Sequence, residues 1–98
     1  MHFDLKFSGN VYNLMRQAGY HPKSSDEKTG QASFARRLDI ADYPRFHIYL
    51  KVARETVKIS LHLDQKKPSY EGATAHSGEY KGELLEKEAE RIKQIAGL

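Results

Sequence analysis

Three histidines and one aspartate are the residues whose types and spacing best fit a chemical site: His47, His62, Asp64 and His76. His47 and His62 lie in two stretches that alternate apolar and polar residues, which is the pattern of half-buried strands. A tight turn over residues 53–56 makes the two stretches antiparallel and places His47 opposite His62. Opposed side chains have Cβ atoms about 4.5–5.5 Å apart, so the two imidazoles could share a metal ion or a proton.

A divalent metal, zinc or a similar ion, is the first ligand that this group predicts. Asp64 shares a strand face with His62, so it could ligate the metal or orient a ligating histidine. His76 follows in the next segment, and three such ligands plus water suit zinc. No standard spacing such as His-Glu-x-x-His occurs in the sequence. The alternative is that both histidines are ordinary surface residues and that Asp64 pairs with Arg45.

The same histidines also allow chemistry without a metal. Two imidazoles can act as acid and base across a phosphodiester, while a neighbouring lysine stabilises the charged transition state. Lys51, Lys58 and Lys66 are the candidate lysines. This hypothesis describes a small phosphodiesterase that resembles a ribonuclease in its chemistry.

Basic and aromatic residues are interleaved along the same part of the chain, which favours nucleic-acid or phosphorylated partners. Cations contact phosphates, and tyrosines offer stacking surfaces for bases. The net charge of +3 and the pI near 9.2 agree with an anionic partner. The residues of this prediction are Arg45, Tyr49, Lys51, Lys58, Lys66, Lys67 and Tyr70, with Arg36, Arg37 and Tyr43 as further members.

The chain has 98 residues, which is the length of one domain. The strands and helices that carry the residues above are predicted to form a single α+β domain. Alternation predicts strands over residues 2–7, 46–52 and 57–63. Residues 33–38 fit either a helix or a strand, and their short length and the turn that follows favour a strand. Apolar spacing predicts a helix capped by Ser8 or Asn10 and a C-terminal helix from about Glu79. Residues 20–31 and 65–78 are predicted loops.

The predicted architecture is a mainly antiparallel sheet of three or four strands, in the order β-α-β-β-β-α, with both helices on one face. The other face would then be open and polar. Its predicted members are His47, Tyr49, Lys51, Lys58, Ser60 and His62.

Composition excludes several classes of protein. Cysteine is absent, which excludes disulfides, thiolate metal sites and cysteine catalysis. The first residues lack the features of a secretory signal, and no apolar run reaches the length of a membrane span, so a cytoplasmic location without membrane contact is expected.

Two resemblances accompany these patterns. From residue 9 onward, the predicted order of helix, three strands and helix resembles a double-stranded-RNA-binding domain, although residues 73–80 lack the Lys-Lys-x-Ala-Lys element of that family. Residues 61–72, followed by His-Ser-Gly-Glu-Tyr at 76–80, resemble a block found in a family of small bacterial proteins without an established activity. The second resemblance implies a bacterial origin and no mechanism.

Overall fold

The structure is a computed structural model that describes residues 1–65 and 77–97. It shows a five-stranded antiparallel sheet with two helices. The strands lie in the order β1-β5-β4-β3-β2 across the sheet. The predicted α+β class is confirmed, but the sheet has five strands where three or four were predicted. The elements are β1 (His2–Lys6), α1 (Val11–Gln17), β2 (His21–Asp26), β3 (Gln31–Arg37), β4 (Arg45–Ala53), β5 (Thr56–Asp64) and α2 (Ser77–Ile95).

The additional strand is β2, which lies where a loop was predicted over residues 20–31. All six residues of β2 are exposed, so the strand lacks the alternation of apolar and polar residues that indicates a buried face. Its turn into β3 is nevertheless encoded locally: the Asp26 side chain accepts a hydrogen bond from the Lys28 amide, and Gly30 has a φ of 73°. In the part of the chain that the structure describes, four strands therefore lie between the two helices, unlike the three of the double-stranded-RNA-binding order.

The segment predicted as a strand over residues 33–38 is a strand as far as Arg37. It belongs to β3 (Gln31–Arg37), which pairs with β4 along its whole length. The β4–β5 hairpin also has the predicted register, in which His47 lies opposite His62 and Arg45 opposite Asp64. A turn of two residues, Arg54 and Glu55, joins these strands.

Both helices pack on one face of the sheet, as predicted. The side chain of Asn10 caps α1 by accepting hydrogen bonds from the amides of Tyr12 and Asn13. The left-handed conformation of Gly19, with a φ of 88°, ends this helix and directs the chain into β2. The core beneath the helices contains Leu5, Leu14, Met15, Phe34, Phe46, Ile48, Leu50, Val57, Ile59, Leu61, Leu63, Leu85, Ala89 and Ile92.

A buried ionic cluster joins α2 to the rest of the core face. Glu88 is only 3% exposed and accepts a hydrogen bond from the Tyr20 hydroxyl at 2.6 Å. Arg36 and Arg91 both donate to its carboxylate, and Arg91 also donates to the carbonyl of Ala18. These contacts hold α2 against α1 and β3.

No helix in the described residues is long and apolar enough to cross a membrane.

Candidate binding face

The sheet surface that faces away from both helices is called the open face here. Strand register assigns its side chains, because residues paired across neighbouring strands point to the same side. The open face comprises His2, Asp4 and Lys6 from β1, Lys58, Ser60, His62 and Asp64 from β5, Arg45, His47, Tyr49 and Lys51 from β4, Gln31, Ser33, Ala35 and Arg37 from β3, and His21, Ser24 and Asp26 from β2.

Four aromatic rings form a continuous row across the centre of the open face. The ring centroids of His47 and Tyr49 are 4.5 Å apart at a tilt of 34°. Tyr49 meets His62 edge to face at 5.9 Å, and His62 meets His2 in the same way at 6.4 Å. The row therefore crosses three strands, β4, β5 and β1.

His47 is fixed by an acidic neighbour. Its Nδ1 lies 3.1 Å from a carboxylate oxygen of Asp64, which also lies 3.9 Å from Nε of Arg45. The Nε2 atom of His47 is buried and makes no hydrogen bond to any described residue. An oriented imidazole with one free nitrogen is the arrangement of many metal ligands, but here that nitrogen is covered.

His62 lies opposite His47 in a different environment. Its Nε2 lies 2.8 Å from the Ser60 hydroxyl, on the same strand. Partial burial lowers the pKa of His62, and the ammonium group of Met1 lowers this pKa further. His62 is therefore a neutral imidazole at pH 7.

The predicted metal ligands are only partly brought together. His47 and His62 contact the same tyrosine ring, and Asp64 contacts His47. Within residues 1–65 and 77–97, no group of three or more potential ligand side chains could hold a metal ion. The fourth predicted ligand, His76, lies outside the described residues.

The predicted basic residues fall into three groups. Arg45, Lys51 and Lys58 lie on the open face with Tyr49, and Asp4 lies across from Lys58 on the neighbouring strand. Arg36 is on the opposite face, because neighbouring residues of a strand alternate between faces. There its guanidinium contacts Glu88 and the ring of Phe46. Three further members of the prediction, Lys66, Lys67 and Tyr70, lie outside the described residues.

Two depressions lie along β3 on the open face and are together called the groove here. Ser33 lines one of them and Ala35 the other, and both side chains are buried. The first depression is also lined by Tyr49, Gln31 and residues of β2 from Ser24 to Asp26. The second is lined by His21, Lys23, Ala35, Arg37, Asp42 and Arg45.

Several residues of the open face were missed from the sequence. His2 joins the row of rings because β1 pairs with β5, and nothing in the local pattern of β1 reveals its partner strand. His21 and Lys23 line the groove because β2 is a strand. The turn residues Asp26 and Gly30, followed by an apolar segment, were the available indication of that hairpin.

Comparison of the sequence with protein-family models and with curated proteins, and of the fold with solved structures, found no match.

Proposed function

We propose that this protein binds single-stranded nucleic acid, RNA in the first instance, on its open face. The observation that carries the proposal is the row of four contacting rings, with cations placed on both sides of it. Arg45 lies at one end of β4, and Lys51 and Lys58 lie together towards the other. Rings supply stacking surfaces and the cations supply phosphate contacts, which is the combination that single-strand binding requires.

The position of Tyr49 favours unpaired bases as the ligand. Tyr49 lines one depression of the groove along β3 and also a further shallow depression, which His2, Lys51, Lys58 and Ser60 line with it. A base bound in either depression can therefore contact the tyrosine ring, one side of which faces His47. Bases in a duplex have their faces covered by neighbouring bases, so stacking on Tyr49 requires a single strand.

A divalent metal is the second candidate ligand, favoured by one observation. The carboxylate of Asp64 orients His47 and leaves Nε2 without a partner, as in carboxylate–histidine–zinc arrangements. Because this nitrogen is covered, metal binding requires a neighbouring side chain to move. Zinc titration followed through the histidine NMR signals tests this candidate: joint shifts of His47 and His62 at micromolar zinc would support it.

The metal-free phosphodiesterase stays a prediction. General acid–base catalysis needs a ring nitrogen within hydrogen-bond reach of the reacting oxygen. The Nδ1 atom of His47 is engaged by Asp64, and its Nε2 atom is covered. Binding is therefore the function that this geometry supports best.

Substitution of Tyr49 tests the proposed function. Tyr49→Ala removes a stacking surface, and each stacked base contributes about 1–3 kcal/mol, so the Kd for an unstructured RNA should rise at least about fivefold. Tyr49→Phe keeps the ring and should keep the affinity to within about twofold, because stacking needs no hydroxyl. Fluorescence anisotropy with a labelled oligouridine measures both variants.

Tyr12→Ala is the matched control. Tyr12 is 46% exposed on α1, where its ring contacts Phe34 on the core face. Its loss should leave RNA affinity unchanged, with circular dichroism showing that each variant is folded. Equal affinities for the wild type and Tyr49→Ala would overturn the proposal.

A further inference from the structure

Two arginines lie at the end of the open face beside the β3–β4 loop. Arg37 and Arg45 lie directly opposite each other on neighbouring strands and share this face. Their Cβ atoms are therefore about 4.5–5.5 Å apart, and like charges in that position repel. Lys23 and His21 line the same end of the groove, together with Ala35.

Acidic neighbours compensate these two arginines only loosely. Arg37 contacts the carboxylate of Asp42 at 3.5 Å, and both groups are more than half exposed. Arg45 lies 3.9 Å from Asp64, beyond hydrogen-bond distance, and its Nε is buried without a hydrogen-bond partner among the described residues. Arg37 also donates to the carbonyl of Ile40 at 3.4 Å. Neither arginine thus has a close, two-bonded carboxylate partner among the described residues.

The β3–β4 loop limits the groove at this end. Asp42 from the loop lines the groove together with residues of the open face. The ring of Tyr43, also from the loop, lies 4.6 Å from the guanidinium of Arg45. A nucleic-acid strand that extends from Tyr49 along β4 to Arg45 therefore comes up to the β3–β4 loop beside the two arginines.

We propose that this end of the groove, formed by Arg37, Arg45, Lys23 and His21, is a binding site for a terminal phosphate group. Guanidinium groups bind phosphate oxygens with pairs of hydrogen bonds, and a terminal phosphate carries more charge and more free oxygens than a phosphodiester. The identification of the phosphate as the end of a nucleic-acid strand rests on the proposed function. The phosphate site itself follows from the arginine pair.

Two measurements test the site. Inorganic phosphate is titrated into the ¹⁵N-labelled protein, and the Nε–Hε signals of Arg37 and Arg45 should shift together in a saturable manner. The Kd values of one oligouridine with a 5′-phosphate, with a 3′-phosphate and with neither are then compared. One phosphorylated form should bind about tenfold more tightly than the unphosphorylated form, as expected for new charge-assisted hydrogen bonds.

Arg37→Gln is the test variant, since a side chain that is 52% exposed can be changed without loss of folding. In this variant the Kd of the unphosphorylated oligonucleotide divided by that of the phosphorylated one should fall to about one, because one guanidinium of the pair is lost. Arg54→Gln is the matched control, because Arg54 lies in the β4–β5 turn at the far end of β4. It should keep the wild-type ratio.

The outcomes separate the two proposals. Saturable arginine shifts with phosphate, without binding of any oligonucleotide, would support the phosphate site and overturn the nucleic-acid function. Equal binding of all three oligonucleotides, without arginine shifts, would support the nucleic-acid function and overturn the phosphate site. Loss of the ratio in Arg54→Gln as well as in Arg37→Gln would also overturn the site.

Discussion

The two histidines at the centre of the open face have different tasks, although they lie opposite each other. His47 is held by Asp64 and is largely covered, so its ring acts as a fixed support for Tyr49. His62 is exposed, and its Nε2 lies 2.8 Å from the Ser60 hydroxyl. Their opposition followed from alternation and a tight turn. Their separate environments could not be predicted, because rotamers and side-chain partners depend on the packed neighbours.

The pKa of His62 gives a prediction at the residue scale. Burial and the Met1 ammonium group favour its neutral form, so the imidazole should titrate below the ordinary value of about 6.5. The folded protein then binds this proton less readily than the unfolded chain, and His62 lowers stability as the pH falls below about 6.5. A carbon–proton NMR titration of the imidazole measures the midpoint. A value at or above the ordinary one would contradict the assigned environment.

At the scale of elements, the position of α2 depends on an acidic residue buried inside the protein. Burial alone would raise the pKa of Glu88, but hydrogen bonds from Arg91, Arg36 and Tyr20 outweigh it and hold this pKa below its usual range. The helix itself was predictable from its apolar stripe. Its ionic cluster was not, because Tyr20 and Arg36 come from two distant parts of the chain and share no local pattern with Glu88.

Replacement of Glu88 by Gln should destabilise the protein by about 2 kcal/mol, since two arginines lose their anion but remain partly exposed to water. Because the Glu88 pKa is lowered on folding, its contribution is present at neutral pH and is lost as the pH falls below about 4. Urea unfolding at pH 7 and at about pH 3 measures the free energy of unfolding of the wild type and of Glu88→Gln. The difference between the two proteins should shrink in acid.

The control for this substitution lies two residues further along α2. Glu90 is exposed, and its carboxylate lies as far as 3.9 Å from the Lys93 ammonium group, so this ion pair is weak. Glu90→Gln should therefore change the free energy of unfolding by less than about 0.5 kcal/mol. Equal stability of Glu88→Gln and Glu90→Gln at pH 7 would show that the cluster does not hold α2 in place.

The strand β2 marks the limit of sequence analysis at this scale. Alternation identified β1, β4 and β5 because each has one buried face. An edge strand with both faces exposed buries nothing, so its sequence needs no apolar pattern. Pro22, Lys23 and a register shift between residues 22 and 24 are devices that keep such an edge from pairing with other chains.

At the scale of the whole molecule, the sheet divides the protein into an apolar side covered by helices and an open side that carries cations. Lys51 and Lys58 oppose each other on the open side, a pairing that costs stability unless an anion is near. Asp4 lies beside Lys58 and supplies part of that compensation. The remaining positive charge is available to a ligand.

This distribution predicts the salt dependence of RNA binding. Each phosphate contact on a single strand contributes about −0.7 to the slope of log K against log salt. The double variant Lys51→Gln with Lys58→Gln should therefore reduce the magnitude of the slope by about 0.7 to 1.4. Affinities at several salt concentrations give this slope.

Lys81→Gln with Lys87→Gln removes the same charge from the exposed side of α2 and is the matched control. If the slope falls equally in both double variants, the RNA contacts the protein through its general charge and not through the open face.

RNA contact can be mapped directly on the labelled protein. A short oligouridine is titrated into ¹⁵N-labelled protein, and the amide and side-chain signals are followed. Saturable shifts are expected on β3, β4 and β5, strongest around His47, Tyr49 and His62, with α1 and α2 unchanged. Shifts confined to the helices, or no shifts at concentrations up to the millimolar range, would overturn RNA binding on the open face.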